Sequence, residues 1–423
     1  MLHSRRAFLR QAAAGGLVLP ALTHCPVLQA NAQAPPSEAI RIGVIGVGNQ
    51  GAGNLGAHLK NCVAVCEVDS LRLGKAKERV EKANGKCAAY GDYRKLLDDK
   101  NVDAVVITTP DHWHALQTIH AVQAGKDVYC EKPLTLTVVE GRAIVEAARK
   151  HQRIVQTGSQ QRSDARFRLA CELVRNGRIG KVQTIKVGLP GVNFSGPAVA
   201  DSAPPAELDY DLWLGPAPKR PYNAKRVHYL FRFFWDYSGG QMTNFGAHHL
   251  DIAQWGLGMD ESGPVEIEAK ARYHKDNWYE VPEWSEITYK YANGVTMLCG
   301  QGFTGGTTFI GDKGTLYVTR GKITSDPAEI VDQPIKDGEV RLYESKSHHG
   351  NWLECIKSRK LPICDAEIGH RSATVCHLGN VAVRTGRKIA WDPVKEEITG
   401  DAEAAKMLDK PYREPWKLPR EKA

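Results

Sequence analysis

The sequence predicts an α/β chain in two parts, a doubly wound parallel sheet followed by an α/β region with an open, mainly antiparallel sheet. Three observations carry that expectation. Between about residues 40 and 158, short β-branched runs alternate with helical stretches of about ten to fifteen residues. The first run closes on a glycine-punctuated turn, Gly46-Val47-Gly48-Asn49-Gln50-Gly51. From about residue 180 the alternation stops, and strand-like runs separated by turn signals such as Asn293-Gly294 take over.

At 423 residues the chain is long enough for two or three domains. Apolar residues make up 42% and charged residues 25%, which excludes a disordered or fibrous protein. The formal charge is +8, but Arg5, Arg6 and Arg10 contribute three of those charges. The other basic residues are dispersed, so no nucleic-acid tract is expected. We expect boundaries at 1–34 for a leader, 38–158 and 159–390 for two domains, and 391–423 for a polar tail.

The leader reads in the order basic, apolar, small: Ser4-Arg5-Arg6-Ala7-Phe8-Leu9-Arg10, an uncharged stretch to Thr23, then Ala30-Asn31-Ala32-Gln33-Ala34. The paired arginines before Phe-Leu resemble the twin-arginine (Tat) export signal of bacteria. That resemblance implies the Tat export machinery as a partner and a periplasmic or exported location. The apolar stretch is short and broken by Pro20, so no membrane anchor is expected. His24 precedes Cys25 where a lipoprotein site needs a small residue, so no lipid is expected either. Nine other cysteines, an odd number without framework spacing, argue against a disulfide scaffold. Cys62 and Cys66 are read as core residues on one face of a strand.

The first element proper is Ile40-Arg41-Ile42-Gly43-Val44-Ile45, a strand leading into G-x-G-x-x-G. Gly46 permits the tight turn, Gly48 lets backbone approach a pyrophosphate, and Gly51 allows close strand-to-helix packing. The helix N-terminus, with Asn49 and Gln50, offers free N–H groups to phosphates. A second run, Cys62 to Cys66, ends in Glu67 and Asp69, where an acidic side chain accepts from an adenosine ribose. Together these predict a Rossmann-type site for NAD. The acids disfavour a 2′-phosphate, while Arg72 keeps NADP open.

The alternation continues through a strand at 102–109, a helix from about His114 to Ala124, a strand at 127–130, a helix from about Val138 to His151 and a strand at 154–158. Ligand should lie at the carboxyl ends of these strands. Those ends bring Thr109, Pro110, His112 and His114, then Glu131 and Lys132, then Gln160 into the expected cofactor site. Beyond them, 181–187 reads as a strand, and 286–298 and 315–323 read as hairpins. Seven prolines between Pro190 and Pro221 suggest a long ordered excursion of the kind that forms lids. Helices are expected near 348–359 and 368–385.

Gly46-x-Gly48-x-x-Gly51, Glu131-Lys132-Pro133 and Gly246-Ala247-His248-His249-Leu250-Asp251, in this order, resemble the Gfo/Idh/MocA oxidoreductase family over most of residues 38–390. The resemblance implies a Rossmann domain, an α/β domain whose sheet packs in homo-oligomers, and NAD(P)-linked redox chemistry on sugars, inositols or glycosides. It also implies Lys132 beside the reacting hydroxyl and His248 as proton acceptor. Asn244 departs from the family's carboxylate at that position, so it can orient a hydroxyl but cannot ionise.

Oxidising a carbinol requires a base within hydrogen-bond reach of its hydroxyl. Either His248 or Lys132 suits; we assign the base to His248 and polarisation of the oxygen to Lys132. Arg232, Trp235, Tyr237 and His249 are candidates for the sugar pocket, with core packing as the alternative. His112-x-His114, His248-His249-x-Asp251 and His348-His349 would suggest a metal only if they converged. Without HExxH or paired CxxC, no metal is expected. The reading is therefore an exported NAD(P)-dependent oxidoreductase acting on a secondary hydroxyl, with tightly held cofactor because the periplasm supplies no free NAD. The rivals are an NAD-dependent glycosidase working by oxidation, elimination, addition and reduction, and a nucleotide-containing sugar-binding protein without catalysis.

Overall fold

The computed structural model describes residues 39–423, apart from 193–196, 277 and 421–423. The expected export signal and Cys25 lie outside the described residues. The first sheet is built from β1 (Ile42–Ile45), β2 (Cys62–Cys66), β3 (Ala88–Tyr90), β4 (Ala104–Ile107), β5 (Asp127–Cys130) and β6 (Val155–Thr157). Between them run α1 (Asn49–His58), α2 (Ser70–Asn84), α3 (Tyr93–Asp98), α4 (Asp111–Gln123) and α5 (Val138–Lys150). All strand pairs are parallel and the order is β3-β2-β1-β4-β5-β6. The order reverses between β1 and β4, which opens a crevice at their carboxyl ends.

Strands β1, β2 and β4 are continuous apolar runs because helices cover both faces. β1, β4 and β5 are buried at every position. On one face, Leu55 and Val80 pack with Ile42, Val44 and Val106. On the other, Trp113, Leu116, Ile119 and Ile144 cover Ile45, Val105 and Val128. Cys62 and Cys66 are buried and free, as core residues. Helix α4 begins at Asp111, three residues before the expected start, since Pro110 caps it and Asp111 adds an acid to its first turn.

The second part continues with α6 (Ala165–Arg175), β7 (Val182–Gly188), α7 (Tyr210–Leu214), α8 (Gly240–Asn244) and α9 (Gly246–Leu257). Then come β8 (Glu266–Arg272), β9 (Trp284–Lys290), β10 (Thr296–Gly300), β11 (Gly306–Gly311), β12 (Thr315–Thr319) and β13 (Lys322–Asp326). Helices α10 (His348–Ser358) and α11 (Ala366–Thr385), with β14 (Ile389–Asp392) and β15 (Glu397–Thr399), follow. The nine strands form one open sheet in the order β13-β12-β11-β7-β10-β9-β8-β14-β15. Only β7 and β10 pair in parallel. Both expected hairpins are present, β9–β10 around Gly294 at φ +88° and β12–β13 around Gly321 at φ +83°.

Two expected boundaries differ. Residues 391–420 are not a tail: they contain β15, and Tyr412, Trp416 and Leu418 pack on the core of the first sheet. Helix α10, expected in the second domain, lays Trp352, Cys355 and Ile356 against Val106 and Tyr129 of the first sheet. An apolar sheet face left open by the sequential helices must be covered by some other element, and these segments supply the cover. No helix among the described residues is long and apolar enough to cross a membrane.

Candidate functional site

A cleft of about 380 Å³ opens at the carboxyl ends of β1, β2, β4 and β5. Gly46, at φ +81°, makes the turn out of β1; a Cβ there would stand 2.8 Å from the Thr108 carbonyl carbon. A Cβ on Gly51 would come within 2.1 Å of the Gly46 carbonyl oxygen, so Gly51 packs α1 against the loop and is not itself in the wall. Gly51→Ala is expected to cost about 1–3 kcal/mol of stability through overpacking; an unchanged urea midpoint would overturn this.

Gly48, Asn49 and Gln50 line the cleft, and no side chain caps the N-terminus of α1. Glu67 lines it as well. Its carboxylate accepts from the backbone N–H of Val47 at 3.1 Å and of Val68 at 2.9 Å. Burial raises the Glu67 pKa against these bonds. Asp69 does not line the cleft: it caps α2 by accepting from the N–H groups of Leu71 and Arg72, and pairs with Arg72 at 3.6 Å. An acid at the start of a helix satisfies orphan donors, which is the force that took Asp69 away from the ligand side.

Thr109, Pro110, His114, Glu131 and Lys132 line the far half of the cleft. Glu131 is held by the Gln50 amide at 3.2 Å and the Asn54 amide at 3.0 Å. His114 faces two carbonyl oxygens, Pro133 at 2.7 Å and Thr109 at 2.8 Å. Carbonyls only accept, so both ring nitrogens must donate and the ring is an imidazolium. Burial opposes that charge, but Cys130, Asp111 and the Pro133 carbonyl outweigh it and raise the pKa to about 10. We expect ring ¹⁵N shifts of a doubly protonated imidazole at about pH 8, above the ordinary histidine range. The raised pKa supplies stability that is complete below the ordinary value of 6.5 and is lost as pH climbs toward about 10.

Four further expected cofactor or sugar contacts fall elsewhere. His112 is buried, bonds the Trp213 carbonyl at 3.0 Å and packs on Trp213 and Tyr237, because the first turn of α4 points it away from the cleft. Gln160 is exposed, while its neighbour Gln161 turns inward. Tyr237 belongs to an aromatic core with Trp213 and Phe234, and Trp235 packs under the Arg384 guanidinium. That core makes the proline-rich excursion a fixed wall: Leu208 and Trp213 face the cleft, and the Ser70 N–H donates to the Glu207 carbonyl at 2.9 Å.

Lys132 projects from the end of β5 toward α8. Its Nζ donates to the Asn244 carbonyl at 2.9 Å and to Asn244 Oδ1 at 3.1 Å. Burial lowers its pKa, although Glu131 and Asp111 act to raise it. The Asn244 amide in turn donates to Gln241 Oε1 at 3.0 Å, which fixes its orientation. Asn244 therefore orients Lys132 rather than His248. His248 is buried in α9 outside the residues that line the cleft. Burial, with Lys132 second, holds its pKa well below the usual value, so it is neutral. Its Nδ1 has no hydrogen-bond partner among the described residues. His249 meets the Gln161 amide at 3.5 Å behind the wall and serves packing.

Arg232 does line the cleft, from the short helical turn His228–Phe233, with its guanidinium 4.0 Å from the centre of the Tyr229 ring. Asp111 was not singled out from the sequence, yet it lines the cleft, buried, and accepts from Ser238 Oγ. Its position directly after Pro110, in the first turn of a helix opening at a strand end, was the available signal. Among the described residues no group of three or more His, Cys, Asp or Glu side chains is placed to hold a metal.

Comparison with known proteins agrees with this geometry. The model of an oxidoreductase family's NAD-binding Rossmann fold matches residues 40–159. That of the family's C-terminal alpha/beta domain matches 192–418. A scyllo-inositol 2-dehydrogenase (NAD(+)) of Bacillus subtilis is 30% identical over 383 residues, spanning 85% of this chain and 98% of the relative. The myo-inositol 2-dehydrogenase of Thermotoga maritima is 34% identical over 179 residues, 40% of this chain, and this chain spans about half, 48%, of that relative's length. The solved WlbA dehydrogenase of Bordetella pertussis, in complex with NADH and UDP-GlcNAcA, shares the fold, with a TM-score of 0.62 at 22% identity over 84% of this chain and 99% of its own.

Proposed function

Because this chain belongs to the Gfo/Idh/MocA oxidoreductase family, we propose that it is an NAD-dependent oxidoreductase acting on a secondary hydroxyl of a sugar, inositol or glycoside. The observation that carries the reading is Lys132, a buried amine clamped by both oxygens of Asn244 at the inner end of a dinucleotide cleft. The residues present fit the cofactor. Gly46 and Gly48 leave the loop bare of side chains, α1 offers an uncapped N-terminus to the pyrophosphate, and Glu67 supplies the acceptor for the adenosine ribose. A buried carboxylate there favours NAD over NADP.

A bound nicotinamide supplies the hydride acceptor. The chain's own task is the proton. In its neutral form, which burial favours, Lys132 has two N–H bonds, and the two oxygens of Asn244 are placed to take both. Its lone pair is then left for the substrate hydroxyl, which makes Lys132 the base. Each turnover moves the hydroxyl proton to Nζ as the carbinol carbon loses its hydride. His248, neutral and outside the wall, is the second group and completes Lys132's surroundings. Export by the twin-arginine route, a tightly held cofactor and homo-oligomers through the open sheet belong to the same reading.

The test is to add NAD and a panel of sugars, inositols and glycosides to purified protein while following the near-ultraviolet absorption of reduced nicotinamide and identifying products. A ketosugar or inosose formed with the reduced band supports the reading. Released monosaccharide carrying solvent deuterium, without net reduction, would replace it with the glycosidase reading.

A further inference from the structure

One cation in the cleft wall has no carboxylate in contact with it, and it points at the substrate. Three acids line the wall, and each is already engaged. Glu67 accepts from the Val47, Val68 and Asp69 N–H groups. Glu131 accepts from Gln50, Asn54 and its own neighbour's N–H. Asp111 accepts from Ser238 and lies in the field of the His114 imidazolium. Arg72 pairs with Asp69.

Arg232 is that cation. Lys132, neutral when it acts as the base, donates to the oxygens of Asn244. Among the described residues Arg232 donates to the Tyr229 carbonyl and stacks on the Tyr229 and Phe231 rings, with no carboxylate within ion-pair distance; Asp111 acts on it only from farther away. Arg320 adds a second. Its guanidinium lies 5.8 Å from the centre of the ring of Phe245, which lines the cleft, and among the described residues its hydrogen-bond partner is the neutral Gln161 amide. The position at which the family resemblance calls for a carboxylate holds Asn244 instead, which removes a negative charge from beside Lys132.

A half-buried guanidinium with no carboxylate in contact is costly unless a ligand supplies one. Its planar fork matches a carboxylate or a phosphate. Tyr229, stacked against it, holds the fork in place and leaves the donors for the cleft.

We infer that the substrate is an anionic sugar, bearing a carboxylate or phosphate that Arg232 binds while Lys132 holds the reacting hydroxyl. This rests on the proposed dehydrogenase reading and adds the substrate's charge to it. Arg232 is then a specificity-determining residue, and neutral hexoses and inositols are poor ligands.

The experiment uses full-length protein with NAD and measures equilibrium binding by calorimetry and turnover by nicotinamide absorption. Matched sets are compared: a hexose, its uronate and aldonate, and its phosphate. We expect an acid member to bind about ten- to hundredfold more tightly than its neutral counterpart, the range of a charge-assisted contact. The carboxylate and phosphate members report which anion fits. Arg232→Gln should collapse that ratio toward one, and Arg232→Lys should keep part of it; these two variants separate lost charge from lost folding. Neutral sugars bound as well as or better than every acid would overturn the inference, and so would a ratio unmoved by Arg232→Gln. Turnover of neutral sugars alone overturns the inference and keeps the dehydrogenase. Tight binding of an acid without hydride transfer supports the inference and overturns the dehydrogenase.

Discussion

Lys132→Met is expected to lower turnover by about 10²–10⁴-fold, the range general-base removal produces, while NAD still binds. The argument is geometric first. Met fills much of the same volume, and Gly46, Gly48 and Glu67, proposed to hold the dinucleotide, are on other elements. The pH profile adds a second arm. Burial lowers the Lys132 pKa, and the base form is the active one, so activity should rise with pH through that lowered value and then level off. Placing the charge of Asp111 out of reach, by Asp111→Asn, removes a group that favours the ammonium and should move the rise to lower pH. His248→Asn should cost less than Lys132→Met. Stopped-flow reduction of bound nicotinamide measures all three; a Lys132→Met enzyme with unimpaired hydride transfer would sink the assignment.

The second large effect is structural. Arg162 and Asp251 form an ion pair that water does not reach: their side chains are 1% and 0% exposed, with Nη2 2.8 Å from Oδ1. Asp260 joins at 2.7 Å, Ser372 donates to Asp251 at 2.6 Å, and the guanidinium lies 5.0 Å from the Trp255 ring centre. The network ties the segment after β6 to α9 and α11. Asp251→Ala leaves the guanidinium with its less buried partner alone and should cost about 3–5 kcal/mol in urea unfolding. Replacing both members, by Arg162→Met and Asp251→Leu, should recover much of that loss, since no buried charge is then stranded. A single variant within about 0.5 kcal/mol of the parent would show that the pair is dispensable.

The first sheet was legible because its signals are local. A β-branched run, a glycine turn and an acid after the next strand specify β1, α1 and β2 within thirty residues. Strand β3 was not legible: Ala88-Ala89-Tyr90 is three residues with little apolar weight, and it exists through pairing with β2. In the site, Lys132, Glu131, Glu67 and Asn244 were readable from motifs, but their partners were not. That Asn244 meets Lys132 rather than His248 depends on a contact between residues 112 positions apart. His112 and His114 look alike in the sequence, yet successive helical positions turn about 100°, so one faces core and the other two carbonyls. Arg232 is readable as a candidate, but that no carboxylate touches it emerges only when the acids around it have been placed.

The packing of residues 412–418 on the first sheet also dictates an order of events during synthesis. Tyr412 donates to Glu140 in α5 at 2.6 Å, Arg413 donates to the Gly215 carbonyl at 2.9 Å, and Trp416 lies 4.9 Å from Trp113 in the wall of the cleft. The strands that hold the nucleotide leave the ribosome first, but their outer face is finished by residues made more than 250 positions later. The nucleotide-binding half thus waits, incompletely covered, until residues 412–418 have been made. A chaperone that shields apolar sheet surface would have its substrate in that interval, and the mature site exists only once the late segment has docked.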